Sequence, residues 1–340
     1  MSNALLAPGL ALAERGMIPT PLLRRAIRRL CRQRLTPMAA EVGVARFLAD
    51  FDSAPIAVAT AEANEQHYEV PSDFFELVLG RHLKYSSCLY GPGTESLDQA
   101  EEAMLALTCE RAGIADGQTI LELGCGWGSL SLWMARHYPN ARIVAVSNSA
   151  TQRAFIESHQ VTNLEVRTAD MNQFDPKQTF DRIVSVEMFE HMRNWKSLLG
   201  RVADWLAPGG RLFVHVFCHA SMAYPFETEG DDNWMGRYFF TGGIMPSFDL
   251  LPQAAAGALQ VEKAWWVDGT HYQRTAADWL ANLDRCRADV ILVLRAHYGA
   301  EAPRWFHRWR MFFLACEELF GYRDGKEWGV GHYRLALASE

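Results

Sequence analysis

The sequence predicts an α/β protein built on a doubly wound, parallel sheet. Three observations carry that expectation. Short apolar strands alternate with amphipathic helices from residue 118 onward. A glycine-rich turn in residues 121–128 (LELGCGWG) closes the first strand and opens a helix. The composition is that of a folded globule, 49% hydrophobic and 21% charged over 340 residues. That length makes one large domain or two modest ones.

Residues 1–60 lack strand alternation. Pro19, Pro21 and Pro37 bracket an amphipathic basic helix at 22–35. In it Leu22, Leu23, Ala26, Ile27, Leu30 and Cys31 recur at helical spacing, with Arg24, Arg25, Arg28, Arg29 and Arg32 between them. Two uses suit it: packing on its own domain with a solvated arginine face, or contact with an anionic membrane surface or acidic partner. Residues 64–75 (NEQHYEVPSDFF) lead through Ser72 and Asp73 into an apolar helix reaching Leu79. Residues 96–112 are again helical.

Strands are then expected at 119–123, 142–147, 163–167, 182–186 and 211–217, and helices at 127–137, 149–159 and 194–206. Pro208, Gly209 and Gly210 turn the last helix into its strand. Residues 218–258 break the rhythm with aromatics, acids and turn residues, which predicts an inserted segment covering the site. Strands at 259–266 and 330–338, with helices at 275–297 and 304–319, complete the chain. The expected organisation is a helical N-terminal region, 1–112, whose stretch 64–90 caps the site, followed by the sheet domain, 113–340, with its insertion 218–258.

The 33 basic against 40 acidic residues give a net charge of −7, which excludes general nucleic-acid binding. Residues 1–37 hold seven arginines against one acid, Glu14, so the body is more acidic than the total. No apolar run approaches the roughly 20 residues of a bilayer span, and no secretory leader pattern opens the chain. The seven cysteines are scattered and never form CxxC, which points to a reducing cytosol rather than a disulfide framework or thiolate metal site.

Glu122 lies in the first strand, and Gly124, Gly126 and Gly128 follow it. Such a loop brings backbone N–H groups and a helix N-terminus to a ligand. The spacing is GxGxG, not the dinucleotide fingerprint. With an acid before it, the loop suits an adenosyl ligand bearing a carboxylate, S-adenosylmethionine foremost. Ser147 ends the second strand and Gln152 follows one turn on, where ribose partners sit. The acid of a nicotinamide-dinucleotide site is missing there. Asp170 follows the third strand, placed for an adenine amino group or for a turn cap. Glu187, Glu190 and His191 fall in EMFEH at the end of the fourth strand. Methyl transfer is an in-line displacement that needs alignment, exclusion of water and removal of a proton. No HExxH spacing or third ligand suggests a metal.

LELGCGWG, AVSNSATQ, TADM, SVEMFEHM and LAPGG together resemble the class I S-adenosylmethionine-dependent methyltransferases, with their Rossmann-like sheet. KYSSCLY and SVEMFEHM narrow the resemblance to the cyclopropane-fatty-acid synthases and their relatives, the coclaurine N-methyltransferases. GYRDGKEW looks more like the latter. The resemblance implies that Tyr85, Ser86 and Gly124 hold the methionine end of the cofactor, Ser147 and Gln152 the ribose, and Asp170 the adenine; Gly126 stays with the cofactor loop. In the N-methyltransferases Glu190 and His191 would be the base pair, with Glu187 lining the amine site. In the synthases a bicarbonate ion is the base, held at positions matching Ser87, Glu190, His215 and Tyr272. Ser87 stands where they carry cysteine, with Cys88 one residue later, and Glu187 where they usually carry a small residue. An extra carboxylate there repels an anion and favours an amine. The expectation is therefore a cytoplasmic N-methyltransferase of a small hydrophobic or aromatic amine. The alternative is bicarbonate-assisted transfer to the alkene of an unsaturated acyl lipid, with residues 22–35 at the inner membrane surface. A homodimer suits either reading.

Overall fold

The computed structural model of the chain describes residues 6–35, 53–58, 70–230 and 233–338. Pro37, residues 64–69 of the expected capping stretch, Asp231 and Asp232 lie outside them.

Seven strands form the central sheet in the order β3-β2-β1-β4-β5-β9-β8. They are β1 (Thr119–Leu123), β2 (Arg142–Ser147), β3 (Leu164–Thr168), β4 (Phe180–Val186), β5 (Leu206–His219), β8 (Leu259–Val267) and β9 (Trp328–Leu337). Short β6 (Tyr224–Pro225) and β7 (Ile244–Met245) pair with each other in the segment after β5. The central strands are apolar because helices cover both faces. Ile120, Leu121, Leu123, Ile183 and Val184 are fully buried. Helices α5 (Ser129–His137), α6 (Ala150–Glu157) and α7 (Trp195–Trp205) connect them. Strand order reverses at β1 and β4, so the carboxyl ends of these two strands open a crevice.

The sheet is not wholly parallel. β9 runs antiparallel to both neighbours, β5 and β8. Helices α10 (Gly269–Arg285), α11 (Arg287–Tyr298) and α12 (Ala302–Phe320) separate β8 from β9. The Gly269 amide donates to the Gly325 carbonyl at 2.9 Å. The three helices thus begin and end at one sheet edge, and β9 has to enter from that edge and run back. The single helix expected at 275–297 is two, bent at Cys286. The bend keeps Trp279 and Leu283 on one side, and Val290 and Leu294 on the other, in a common aromatic core.

The N-terminal helices are α1 (Leu6–Ala13), α2 (Thr20–Arg34), α3 (Ser72–Val78) and α4 (Leu97–Ala112). The basic face of α2 is only partly solvated. Arg24 bonds Glu317 at 2.7 Å and Glu318 at 2.6 Å on α12, Arg28 pairs with Glu318, and Arg34 lies 4.5 Å over the Tyr224 ring. Packing on its own domain therefore occupies three of the arginines, while Arg25, Arg29 and Arg32 stay exposed. The inserted segment contributes α8 (Trp234–Tyr238) and α9 (Leu250–Ala255). Glu14, just beyond α1, holds α8 in place by accepting from Trp234 Nε1 at 3.0 Å and from Arg308 at 3.1 Å. Among the described residues no helix is long and apolar enough to cross a membrane.

Gly269 is the tightest joint in this arrangement, because a Cβ there would lie 2.0 Å from the Trp328 carbonyl oxygen and 2.4 Å from that of Phe320. Gly269→Ala is expected to destabilise the fold by about 1–3 kcal/mol. Gly200→Ala, at an open helical position, is expected to stabilise it by roughly 0.5–1 kcal/mol. Denaturant melts of the two variants check both signs.

Candidate active site

The crevice begins at the loop after β1. Gly124 has φ +80°, and its amide and that of Cys125 both donate to the Val146 carbonyl at 3.0 Å. A Cβ on Gly124 would lie 2.6 Å from Met188. The contribution of Gly124 is thus to let the turn after β4 close against the loop, since its own N–H is taken by β2. Gly128, also at positive φ, opens α5.

One cavity runs from this loop to the end of β4; of the residues singled out in the sequence, Tyr85, Ser86, Glu122, Gly124, Gly126, Ser147, Gln152, Asp170, Glu187, Glu190, His191 and Tyr272 line it, whereas Gly128, Ser87, Cys88 and His215 do not. On the first side stand Glu122, Gly124, Gly126, Ser147, Gln152 and Asp170. Glu122 is buried and accepts from Ser131 Oγ; burial pushes its carboxyl up to about 8. Ser147 Oγ donates to Gln152 Oε1 at 2.6 Å and accepts the Ser149 amide at 3.0 Å. Asp170 accepts the Asn172 amide at 2.8 Å, so it caps its turn and lines the cavity at once. Thr108 Oγ1, Trp127 Nε1 and Ser129 Oγ line the same space and are buried without hydrogen-bond partners among the described residues. Buried polar atoms of this kind suit a polar ligand with hydroxyl and charged groups.

Tyr85 and Ser86 close the middle. Their loop is anchored by Glu101, which accepts the amides of Gly80, His82 and Lys84 at 2.8–3.1 Å and which burial pushes up to about 7. Lys84 is buried and donates to Ser86 Oγ at 2.5 Å and to the Ser87 carbonyl at 2.7 Å. Tyr85 packs its ring 5.5 Å from Trp279.

The far side is built around Glu187. Its φ of +47° is rare for a residue with a side chain, and its amide donates to the His215 carbonyl at 2.8 Å. The strained turn brings the carboxylate to three donors. Oε1 accepts the Ser87 amide at 3.0 Å and faces His215 Nε2 at 3.1 Å; Oε2 accepts the Tyr272 hydroxyl at 2.7 Å. His215 sits fully buried behind Glu187, outside the cavity. The Ser87 hydroxyl points instead to the Cys88 carbonyl at 3.3 Å, and Cys88 is buried. Glu190 is buried and lines the cavity, with Oε2 lacking a partner among the described residues. Burial and then the neighbouring Glu187 charge hold its carboxyl well above the usual range. Burial also raises Glu187, while Lys84, Ser87 and Tyr272 pull it back. The half-buried His191 stacks on Phe240 with ring centres 5.6 Å apart and planes within 8°. Phe217, Phe240, Trp279 and Phe312 complete an aromatic wall.

Of the insertion aromatics Trp234, Tyr238, Phe239 and Phe240, Phe240 alone lines the cavity, and neither Trp265 nor Trp266 of β8 does. Trp234 and Phe239 are core, Tyr238 bonds Arg308, and Trp265 lies beneath Arg111 at 4.8 Å. Sequence reading missed Lys84 and Trp127, which stand inside the motifs already quoted, and Ser129, one residue past the glycine loop. It also missed Thr108, Phe312 and His332, for which no local signal exists. The 53–58 segment was missed too: Ala57 lines the cavity and exchanges two 3.0 Å bonds with the Asn172 side chain.

Residues 57–326 match the family described as mycolic acid cyclopropane synthetase. The chain is 39% identical over 292 residues to (S)-coclaurine N-methyltransferase of Thalictrum flavum subsp. glaucum, covering 82% of this chain and 79% of that one. Among solved structures it superposes on coclaurine N-methyltransferase bound to N-methylheliamine and SAH with a TM-score of 0.89 at 33% identity, over 97% of this chain and 99% of that one. A cyclopropane synthase of Mycobacterium tuberculosis shares the fold with a TM-score of 0.70 at 23% identity, over 82% and 99%.

Glu101 and Glu122 are both raised by burial, so the folded chain binds their protons more tightly than the unfolded chain. Their stabilisation is full below the ordinary carboxyl range and declines as pH rises through about 7 and about 8. Ligand-free Glu122→Gln is therefore expected to melt several degrees above the parent at alkaline pH, with the gap closing in mild acid. Calorimetry at both ends checks this; an equal gap in mild acid contradicts desolvation as the cause.

Proposed function

The chain belongs to the mycolic acid cyclopropane synthetase family, and from that premise we propose that it is an S-adenosylmethionine-dependent N-methyltransferase of a small hydrophobic or aromatic amine. The observation that carries this reading is the satisfied carboxylate of Glu187. The Ser87 amide, His215 and Tyr272 are the donors that would face a bicarbonate ion in a synthase-like site, and here all three are turned to a side chain. The oxyanion is built in. A second anion entering beside Glu187 would meet like charge, whereas an ammonium meets opposite charge in a water-poor cavity.

The cofactor supplies an electrophilic methyl group on a sulfonium. The polar atoms of Thr108, Trp127 and Ser129 suit it, as do the cavity positions of Tyr85, Ser86, Gly126, Ser147, Gln152 and Asp170. An amine attacks only through its free lone pair, so a protonated substrate has to lose a proton first. Glu187 and Glu190 act as one titrating pair, in which burial and then the Glu187 charge raise Glu190. Glu187 has donors on both oxygens and holds the negative charge, orienting the amine. Glu190, with an unpartnered Oε2, is the better proton acceptor. His191, at the cavity edge, passes the proton outward. The aromatic wall excludes water and holds the apolar part of the amine against its faces.

Labelled S-adenosylmethionine offered with a panel of hydrophobic amines and with unsaturated phospholipid separates the two chemistries by proton NMR. A new N-methyl singlet with intact olefinic signals is expected; loss of olefinic signals without amine methylation overturns the reading. Glu190→Gln is expected to lower kcat by roughly 10²–10⁴-fold while leaving S-adenosylhomocysteine affinity unchanged by calorimetric titration. Parallel loss of affinity and turnover contradicts the role given to Glu190.

A further inference from the structure

Arg111, in the last turn of α4, lies outside the cavity, yet it begins a line of hydrogen bonds that ends on Glu187. Its guanidinium lies 2.7 Å from His332 Nδ1. His332 Nε2 lies 2.9 Å from His215 Nδ1, and His215 Nε2 lies 3.1 Å from Glu187 Oε1. The antiparallel course of β9 is what permits this. His215 on β5 and His332 on β9 stand directly opposite in the ladder, and their rings lie 4.6 Å apart.

The direction of the line follows from elementary hydrogen-bond chemistry. A guanidinium has donors and no acceptor, and it keeps its charge. His332 Nδ1 therefore carries a lone pair. Both imidazoles are neutral: burial comes first, and nearby positive groups, Lys84 and Arg111 among them, add to it. A neutral imidazole with a lone pair on Nδ1 carries its proton on Nε2. His332 Nε2 thus donates to His215 Nδ1, and by the same step His215 Nε2–H donates to Glu187.

We propose that Arg111 is a positioning residue for the methyl transfer: it fixes the tautomers of His332 and His215 and so keeps a donor, not a lone pair, against the Glu187 carboxylate. This rests on the reading of Glu187 as the anionic member of the pair. Without Arg111 the two imidazoles are free to reverse together, which would turn a lone pair toward Glu187 and favour its protonated form. The other ionisable groups around Glu187 are Lys84, Cys88, Glu190, Tyr272 and Cys316, and none of them bonds to Arg111. Arg111 also lies 4.8 Å over the Trp265 ring. Methionine preserves the stem of that packing, and lysine preserves a single cationic donor.

Nitrogen-15 histidine NMR on the ligand-free full chain reads the tautomers without turnover. In the parent, both imidazoles are expected as neutral Nε2–H forms. Arg111→Met is expected to release at least one of them, and Arg111→Lys to retain both. In parallel, the acid limb of the kcat/KM profile is expected to move up by about one unit in Arg111→Met and to stay near the parent in Arg111→Lys. A merely structural arginine lowers the melting temperature without moving that limb. An Nδ1–H or doubly protonated imidazole in the parent, or unchanged tautomers in folded Arg111→Met, overturns the proposal. If the tautomers follow Arg111 but no amine is methylated, the functional reading fails and the relay stands; amine turnover with indifferent tautomers removes the relay alone.

Discussion

A carboxylate buried in an apolar fold is costly unless donors surround it, and the site is organised by that constraint at Glu187. Three parts of the chain that are distant in sequence converge to satisfy it: the Ser87 amide from the loop before α4, His215 from β5 and Tyr272 from the first turns of α10. Each is held by further structure. Glu101 and Lys84 stiffen the loop on both sides of Tyr85 and Ser86. The Tyr272 ring stacks on Phe320 at 4.1 Å. The left-handed backbone at Glu187 is the local strain that this convergence sustains.

The two carboxyls of EMFEH take different roles from their surroundings alone. Glu187 has donors at both oxygens, so its charged form is supported. Among the described residues Glu190 has no partner at Oε2, and it sits beside that charge, so its neutral form is favoured and its carboxylate, once formed, is the stronger base. Under the proposed function, two like groups pushed apart in this way would serve as an acid–base pair.

Much of this was legible in the sequence. Apolar runs bounded by turns gave β1 and β2 to the residue, and the GxGxG loop and EMFEH lie at strand ends where a doubly wound sheet places its ligand. The direction of β9 was not legible, because the alternation of strands and helices does not say at which edge three intervening helices end. The bend at Cys286 was hidden for a related reason: the hydrogen-bond ladder is nearly unbroken there, and tertiary packing chooses the angle. The arginine stripe of α2 reads as solvated until Glu317 and Glu318, almost three hundred residues on, are known to lie beneath it. His215 was legible as a residue but not as a partner of Glu187 and His332, since register across two strands decides that. The Ser87 position illustrates a different limit. The sequence draws attention to the serine side chain in place of cysteine, whereas the backbone amide, which every residue but proline has, makes the contact.

The central claim is that a side-chain carboxylate stands where the resemblance to the synthases would place a bicarbonate ion. Methyl-transfer rate to an amine, measured in carbon-dioxide-free buffer and again with added bicarbonate, tests it most directly when the parent is compared with Glu187→Gly. The parent is expected to be indifferent to bicarbonate, and the glycine variant, which keeps the three donors and suits the positive φ, to be slow until bicarbonate or formate is added. A parent enzyme that stalls without bicarbonate, or a glycine variant as fast as the parent in its absence, would contradict the account.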